Sequence, residues 1–152
     1  MNAVVPERAP LSGLEQLRAV FDPAHARTGP GIGRTLNIAP VEIEAGRVVF
    51  EGHPDESVYN PIGTVHGGYA ATLLDSCVGC AVHSTLKAGQ GYTTLELKVT
   101  YLRAVTKHTG PVRAEGQVVR AGRRAAFAEG RLTDAEGRLY ATATSTLLVF
   151  DK

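Results

Sequence analysis

Sixteen lysines and arginines stand against fifteen aspartates and glutamates, so this chain of 152 residues has almost no net charge, formally +1. Without a field of one sign, neither nucleic acid nor a membrane is an expected partner, and any anion must be held locally. Long hydrophobic runs are missing too: the longest apolar stretch, Tyr69 to Val82, is interrupted by Asp75 and Ser76 and is too short to span a bilayer. Met1 to Pro10 carries Glu7 and Arg8 and lacks the apolar segment of a secretory signal, which leads us to expect a cytoplasmic protein. No Gly-x-Ser-x-Gly occurs, so a serine-hydrolase route has no nucleophile turn. Gly29-Pro30-Gly31-Ile32-Gly33 is no dinucleotide fingerprint, because a helix and not a strand leads into it. No internal repeat or low-complexity tract is present.

Cysteine is scarce. Cys77 and Cys80 make a Cys-x-x-Cys pair, but they fall about three turns inside a predicted helix, away from the helix N-terminus that lowers a thiol pKa. A zinc set would need two further ligands, and only His83 is near. The pair reads as small apolar core filler.

A hydrophobic content of 43% in this length fits one domain able to bury a central helix under a sheet. Ser12-Gly13-Leu14-Glu15 is a capping-box pattern, followed at helical spacing by Leu17, Val20 and Phe21. It predicts a short helix to about Phe21, then a loop from Asp22 to Gly33. Strand character begins near Arg34, breaks at Pro40 to Ile43, and turns at Ala45-Gly46 into Arg47 to Glu51, giving a hairpin. Residues 52 to 65 read as a long ordered loop. From His66 to about Leu86, apolar residues surround the whole helical circumference, so this helix is buried on most sides. Four alternating runs follow: Leu95, Leu97, Val99 and Tyr101 opposite Thr94, Glu96, Lys98 and Thr100, then Pro111 to Arg120, Arg124 to Thr133 and Leu139 to Phe150. These four strands are expected to form a meander. The expected class is α+β, an antiparallel sheet curled around one long central helix. Residues 1–30 would form an N-terminal helix and loop packed on a domain spanning 31–152.

Two features could carry chemistry. Asp75 interrupts an otherwise apolar helix, and an unpaired buried carboxylate costs several kcal/mol, roughly the order of a whole stability margin, so it needs a partner or a function. His66-Gly67-Gly68 stands where the long loop becomes the helix, so the glycine amides are among the helix's unsatisfied first donors. They can bind an oxyanion, helped by the helix dipole and by close approach to a backbone without side chains. Gly67 and Asp75 are eight residues apart, about 12 Å along one helix. They cannot share one carbonyl within one chain. A second chain with its helix antiparallel would bring its Asp75 beside the first chain's Gly67, making two equivalent sites across a two-fold axis.

Asn60 in the long loop, His66-Gly67-Gly68 and Asp75 together resemble the signature of the PaaI-type hotdog thioesterases, and the similarity runs over roughly residues 30 to 150, including the turn Val119-Arg120-Ala121-Gly122-Arg123. The resemblance implies a hotdog fold and hydrolysis of acyl-coenzyme A. The Gly67 amide would polarise the thioester carbonyl, Asp75 of the neighbouring subunit would attack or activate water, Asn60 would orient carbonyl or water, and His66 would support the start of the helix or act as a base. Gly68 would add to substrate binding. The implied assembly is a homodimer as the minimal unit and a homotetramer in all, with no cofactor and no metal. Coenzyme A brings phosphates, for which Arg120, Arg123 and Arg124 at one hairpin, and Arg103 and Lys107 at another turn, are candidate contacts. Tyr59, Tyr69 and Leu73 could shape an acyl pocket.

Two other readings compete. Tyr59-Asn60-Pro61-Ile62 echoes a hotdog hydratase motif, yet Val58 and Gly63 stand where that motif wants aspartate and histidine. An acyl-coenzyme A sensor without turnover would carry an added DNA-binding domain, for which thirty residues are too few.

Overall fold

The computed structural model describes residues 9–22 and 31–152, so the expectations for Met1 to Arg8 and for most of the loop between Asp22 and Gly33 lie outside the described residues. Helix α1, Gly13–Val20, starts where the capping box places it: the Ser12 backbone N–H donates to Glu15 Oε2 at 2.8 Å, and the Glu15 N–H returns to Ser12 Oγ at 3.4 Å. Its buried Leu17 and the edge-on contact of Phe21 with Phe50, 6.0 Å between centroids, fasten it to the rest of the chain.

Where strand character was expected from Arg34, a single helical turn α2, Ile32–Thr35, stands instead. Thr35 and Leu36 donate back to Gly31 and Ile32, and Asn37 at φ 52° turns the chain into strand β1, Ile38–Glu44. The expected break in β1 is a bulge between Pro40 and Glu42. Gly46, at φ 80°, makes the turn into β2, Arg47–Gly52. After the long loop comes helix α3, Gly67–His83, followed by β3 Gln90–Tyr101, β4 Val112–Ala121, β5 Ala125–Asp134 and β6 Leu139–Asp151. Helix α3 ends one turn before Leu86 because the Ser84 and Thr85 hydroxyls bond back to the Ala81 and Val82 carbonyls.

The six strands form one antiparallel sheet in the order β1-β2-β4-β5-β6-β3. This corrects the expected meander of four. Of those four, only β4, β5 and β6 are joined in sequence order. β3 crosses over to pair with β6, because β2 already occupies the free side of β4. The sheet wraps α3, whose Leu73, Leu74, Cys77, Val78, Ala81 and Val82 are fully buried. Each large side chain there is worth roughly 1.5–3 kcal/mol of transfer free energy. Approach is so close at Gly116 of β4 that a Cβ would stand 2.4 Å from the Cys77 carbonyl. Among the described residues no helix is long and apolar enough to cross a membrane.

Candidate active site

The start of α3 is built by its own side chains. His66 is the N-cap, and its Nδ1 accepts the Gly68 amide at 2.8 Å, so Nδ1 carries no proton in this arrangement. A Cβ on Gly68 would lie 2.9 Å from that nitrogen, which is why glycine is needed there. With the Gly68 amide taken, the Gly67 N–H is the first donor of the helix without an acceptor among the described residues. The Gly67 carbonyl accepts the Tyr101 hydroxyl at 2.9 Å, and a Cβ on Gly67 would press the Tyr101 ring at 3.1 Å. Strand β3 thereby holds the Gly67–Gly68 peptide, next to the free amide, in place.

Asn60 organises the loop that feeds this turn. Its Oδ1 accepts from the Ile62 and Thr64 amides at 3.1 and 3.2 Å, and its Nδ2 donates to Thr64 Oγ1 at 2.9 Å. One Nδ2 hydrogen is left over.

Asp75 lies half-buried two turns further along α3, and its Oδ1 accepts the Thr94 hydroxyl at 3.1 Å. Simple alternation puts Thr94 on the face opposite Leu97 and Tyr101, but the β3–β6 register slips between Thr94 and Glu96. Leu95 bulges out, 61% exposed, and the slip returns Thr94 to the helix side. Thr94 is therefore the site residue that sequence reasoning missed, since nothing in the period-two pattern marks the bulge. A turn beyond Asp75, the Tyr92 ring rests on Gly79, where a Cβ would meet its hydroxyl at 2.7 Å, and packs against His83, 5.6 Å between centroids. Burial, reinforced by the Asp75 charge, pushes the Cys80 thiol up to about 12, and burial first, then Cys80, pushes Cys77 up as well. These thiols are inert core groups in this environment.

A pocket of about 360 Å³ opens beside Gly67, with Val65, Ala70, Leu132 and Ala141 forming apolar walls and His66 and Arg103 at its polar side. None of Tyr59, Tyr69 and Leu73 lines it. Leu73 is in the core, and Tyr69 is buried with its hydroxyl against Gly52, its phenol pushed up to about 12 by burial. The candidate cations separate. Lys107 is paired with Glu56, whereas Arg103, Arg120, Arg123 and Arg124 are exposed and make no ion pair among the described residues. The hairpin holding the last three lies at the far end of α3: Val118 N–H donates to the Gly46 carbonyl, and Gly46 N–H to Oγ of Ser84, the helix C-cap. One chain thus brings Gly67, His66, Asn60 and Arg103 to one end of α3, Asp75 and Thr94 to its middle, and the arginine hairpin to the other end.

Residues 62–141 match the thioesterase superfamily. Among curated relatives, human acyl-coenzyme A thioesterase 13 is 31% identical over 110 residues, covering 72% of this chain and 77% of that protein. The 1,4-dihydroxy-2-naphthoyl-CoA hydrolase of Listeria monocytogenes is 25% identical over 122 residues, covering 80% and 98%. Among solved structures, smu.793 of Streptococcus mutans, bound to acetyl CoA, superposes with a TM-score of 0.69 at 29% identity over 76% of this chain and 90% of that one. The E. coli PaaI protein shares the fold, with a TM-score of 0.76 at 16% identity over 91% and 94%. The chain belongs to the thioesterase superfamily, as a thioester hydrolase with the hotdog fold.

Proposed function

We propose that the protein hydrolyses acyl-coenzyme A to a free acid and coenzyme A, at sites each made by two chains. The observation that carries this is the division of labour at the start of α3: His66 takes the Gly68 amide, Tyr101 holds the Gly67 carbonyl, and the Gly67 amide is left without an acceptor among the described residues at the positive end of a long helix. A thioester oxygen placed there gains a donor that strengthens as negative charge develops. The acid group must come from elsewhere, because Asp75 is about 12 Å further along the same helix.

Strand β3 provides the means. It is a twelve-residue edge strand with no neighbour on its outer side among the described residues, and such an edge is a template for pairing. Tyr101 marks the level of Gly67 on β3, and Thr94 marks the level of Asp75. A two-fold axis that sets the partner's Asp75 beside Gly67 therefore crosses β3 between these marks, near Leu97 and Lys98. Two such dimers would make the homotetramer, and the cytoplasm is the compartment we assign.

In this site the Gly67 amide holds the carbonyl oxygen, and the partner's Asp75, steadied by Thr94, acts as general base or as nucleophile. As base it takes a proton from water while the hydroxide adds to the carbonyl carbon. The tetrahedral oxyanion then collapses, the C–S bond breaks, and the thiolate leaves with the proton from Asp75. As nucleophile it attacks the carbonyl carbon, the C–S bond breaks and coenzyme A leaves as thiolate; water then cleaves the acyl-enzyme anhydride to the free acid and the Asp75 carboxylate, and the proton it releases goes to the thiolate. Asn60 uses most of its bonding capacity to shape the loop, and its remaining N–H is the group left to orient carbonyl or water. His66 acts as a cap, and Gly68 contributes through its small size. Thiol release from a panel of acyl-coenzyme A esters tests the reading: Asp75→Asn should lower turnover by about 100-fold or more while the protein stays folded. A folded Asp75→Asn enzyme with a near wild-type rate removes it.

A further inference from the structure

We infer that the Tyr92 hydroxyl is a further catalytic group, one that holds the attacking water against the free oxygen of Asp75. The inference rests on the shared-site reading above and adds to it the second contact of the water.

The register of β3 puts the hydroxyl where this role needs it. Before the slip at Leu95, Thr94 and Tyr92 both turn toward α3. Thr94 meets Asp75, and Tyr92 meets Gly79, about one helical turn further on. Glycine at that point lets the phenol lie on the helix itself: a Cβ there would stand 2.7 Å from the Tyr92 hydroxyl and 3.1 Å from its ring. The hydroxyl thus takes the place that a side chain at position 79 would have. Side chains four apart on a helix have their Cβ atoms about 5–6 Å apart. A water bonded to two oxygens spans about 5 Å, as two O–H···O bonds of roughly 2.7 Å each. One water therefore fits between the Tyr92 hydroxyl and the Asp75 carboxylate.

The hydroxyl is held there and is not otherwise engaged. His83, a turn beyond Gly79, packs edge-on against the ring, 5.6 Å between centroids. Among the described residues the Tyr92 hydroxyl has no hydrogen-bond partner, and of the two Asp75 oxygens only Oδ1 has one, the Thr94 hydroxyl. Burial first, then the nearby Cys80 and Asp75, push the phenol above its ordinary value. It stays neutral and does not compete for the proton. The water donates one hydrogen to the free Asp75 oxygen and the other to the Tyr92 oxygen, which leaves a lone pair for the carbonyl carbon. As the C–O bond forms, the first proton passes to Asp75 and the carbonyl electron pair moves to the oxygen at the partner's Gly67 amide. The second hydrogen stays on the new hydroxyl group. Collapse then breaks the C–S bond, and the proton on Asp75 goes to the thiolate. Tyr92 thereby favours the general-base course over the nucleophilic one.

The test starts from Tyr92→Phe, which keeps the ring over Gly79 and against His83 and removes only the hydroxyl. With the acyl-coenzyme A ester that wild type turns over fastest, kcat should fall about tenfold or more while KM stays within about twofold, because the lost contact is to the water and not to the ester. The denaturant midpoint should not move. A rescue separates the hydroxyl from the ring. Tyr92→Ala should lower kcat at least as far. Adding Gly79→Ser returns a hydroxyl to the same place on the helix and should recover about fivefold or more, whereas adding Gly79→Ala should recover nothing. If Tyr92→Phe keeps the wild-type kcat, or if Gly79→Ala rescues as well as Gly79→Ser, the hydroxyl does not hold the water although the shared site stands. If no ester of the panel is hydrolysed, or if a folded Asp75→Asn enzyme keeps its rate, the functional reading fails and the role of Tyr92 falls with it.

Discussion

The two faces of α3 obey different rules. On the face toward the sheet, Leu73, Leu74, Cys77, Val78, Ala81 and Val82 are wholly buried, and Gly116 of β4 lets the helix backbone touch the strand. On the face along β3, the helix presents Gly67, Asp75 and Gly79 in steps of four and eight residues, and β3 answers with Tyr101, Thr94 and Tyr92. The first face is close-packed and tolerates no added atom. The second has small residues under large polar ones, and keeps one amide and one carboxylate oxygen without a partner among the described residues. A single helix can therefore serve as the core of the fold and as the carrier of the groups we propose to be catalytic, because the two tasks fall on different sides of it.

The sharpest way to break this comparison is one substitution on each face. Gly116→Ala would place its Cβ 2.4 Å from the Cys77 carbonyl carbon and oxygen and 2.6 Å from the Val78 nitrogen, all backbone atoms that cannot rotate away. We expect a loss of about 3 kcal/mol in unfolding free energy, read from denaturant midpoints. Asp75→Asn should do the reverse, changing stability by about 0.5 kcal/mol or less while removing about 2.7 kcal/mol or more of transition-state stabilisation. If both variants lose stability alike, the division between a structural and a catalytic face does not hold.

Much of this division is visible in the sequence, and the reason differs by element. Ser12 with Glu15 and Ala45-Gly46 are read correctly, and His66-Gly67-Gly68 is placed correctly at the start of α3, because capping and turning are local acts of named residues; the Gly68 amide, expected to be free, is instead taken by His66 Nδ1. Asp75 is conspicuous because a carboxylate among alanines and leucines needs a reason. The position of β3 beside β6 is not visible, because strand order depends on which distant edge is free, and chain order carries no mark of that. The bulge at Leu95 is equally silent, and with it goes the contact between Thr94 and Asp75. The separation of Lys107 from Arg103 follows from Glu56, fifty-one residues before Lys107 and met only in space.

A smaller effect tests whether β3 steadies the turn that carries the free amide. Tyr101→Phe keeps the ring over Gly67 and removes only the hydroxyl that bonds the Gly67 carbonyl. A single hydrogen bond of this kind is worth about 0.5–1.5 kcal/mol, so kcat/KM should fall roughly three- to tenfold. Stability should stay within about 0.5 kcal/mol, because the side chain is half-exposed. An unchanged kcat/KM would mean that the helix alone sets the direction of the amide.

The smallest expected effect concerns His83, at the end of the β3-facing side, where its ring meets Tyr92. Burial first, and then the positive charge of Lys152, hold its imidazole below the ordinary histidine value. The folded protein therefore resists protonation that the unfolded chain accepts, and the sign follows. Above about pH 6.5, the ordinary histidine pKa, His83 is neutral in both states and its contribution to stability is fully present. As pH falls from there through the lowered folded value, the unfolded state gains a proton first and stability is lost. Denaturant unfolding of wild type and His83→Gln at pH 7.5 and pH 5 should show a steeper acid loss in wild type. The comparison rests on the change with pH in each protein, because His83→Gln also removes the contact with Tyr92 at every pH. Parallel losses in the two proteins would place His83 in solvent as an ordinary histidine, and the close packing of this side of α3 would then stop at Tyr92 and Gly79.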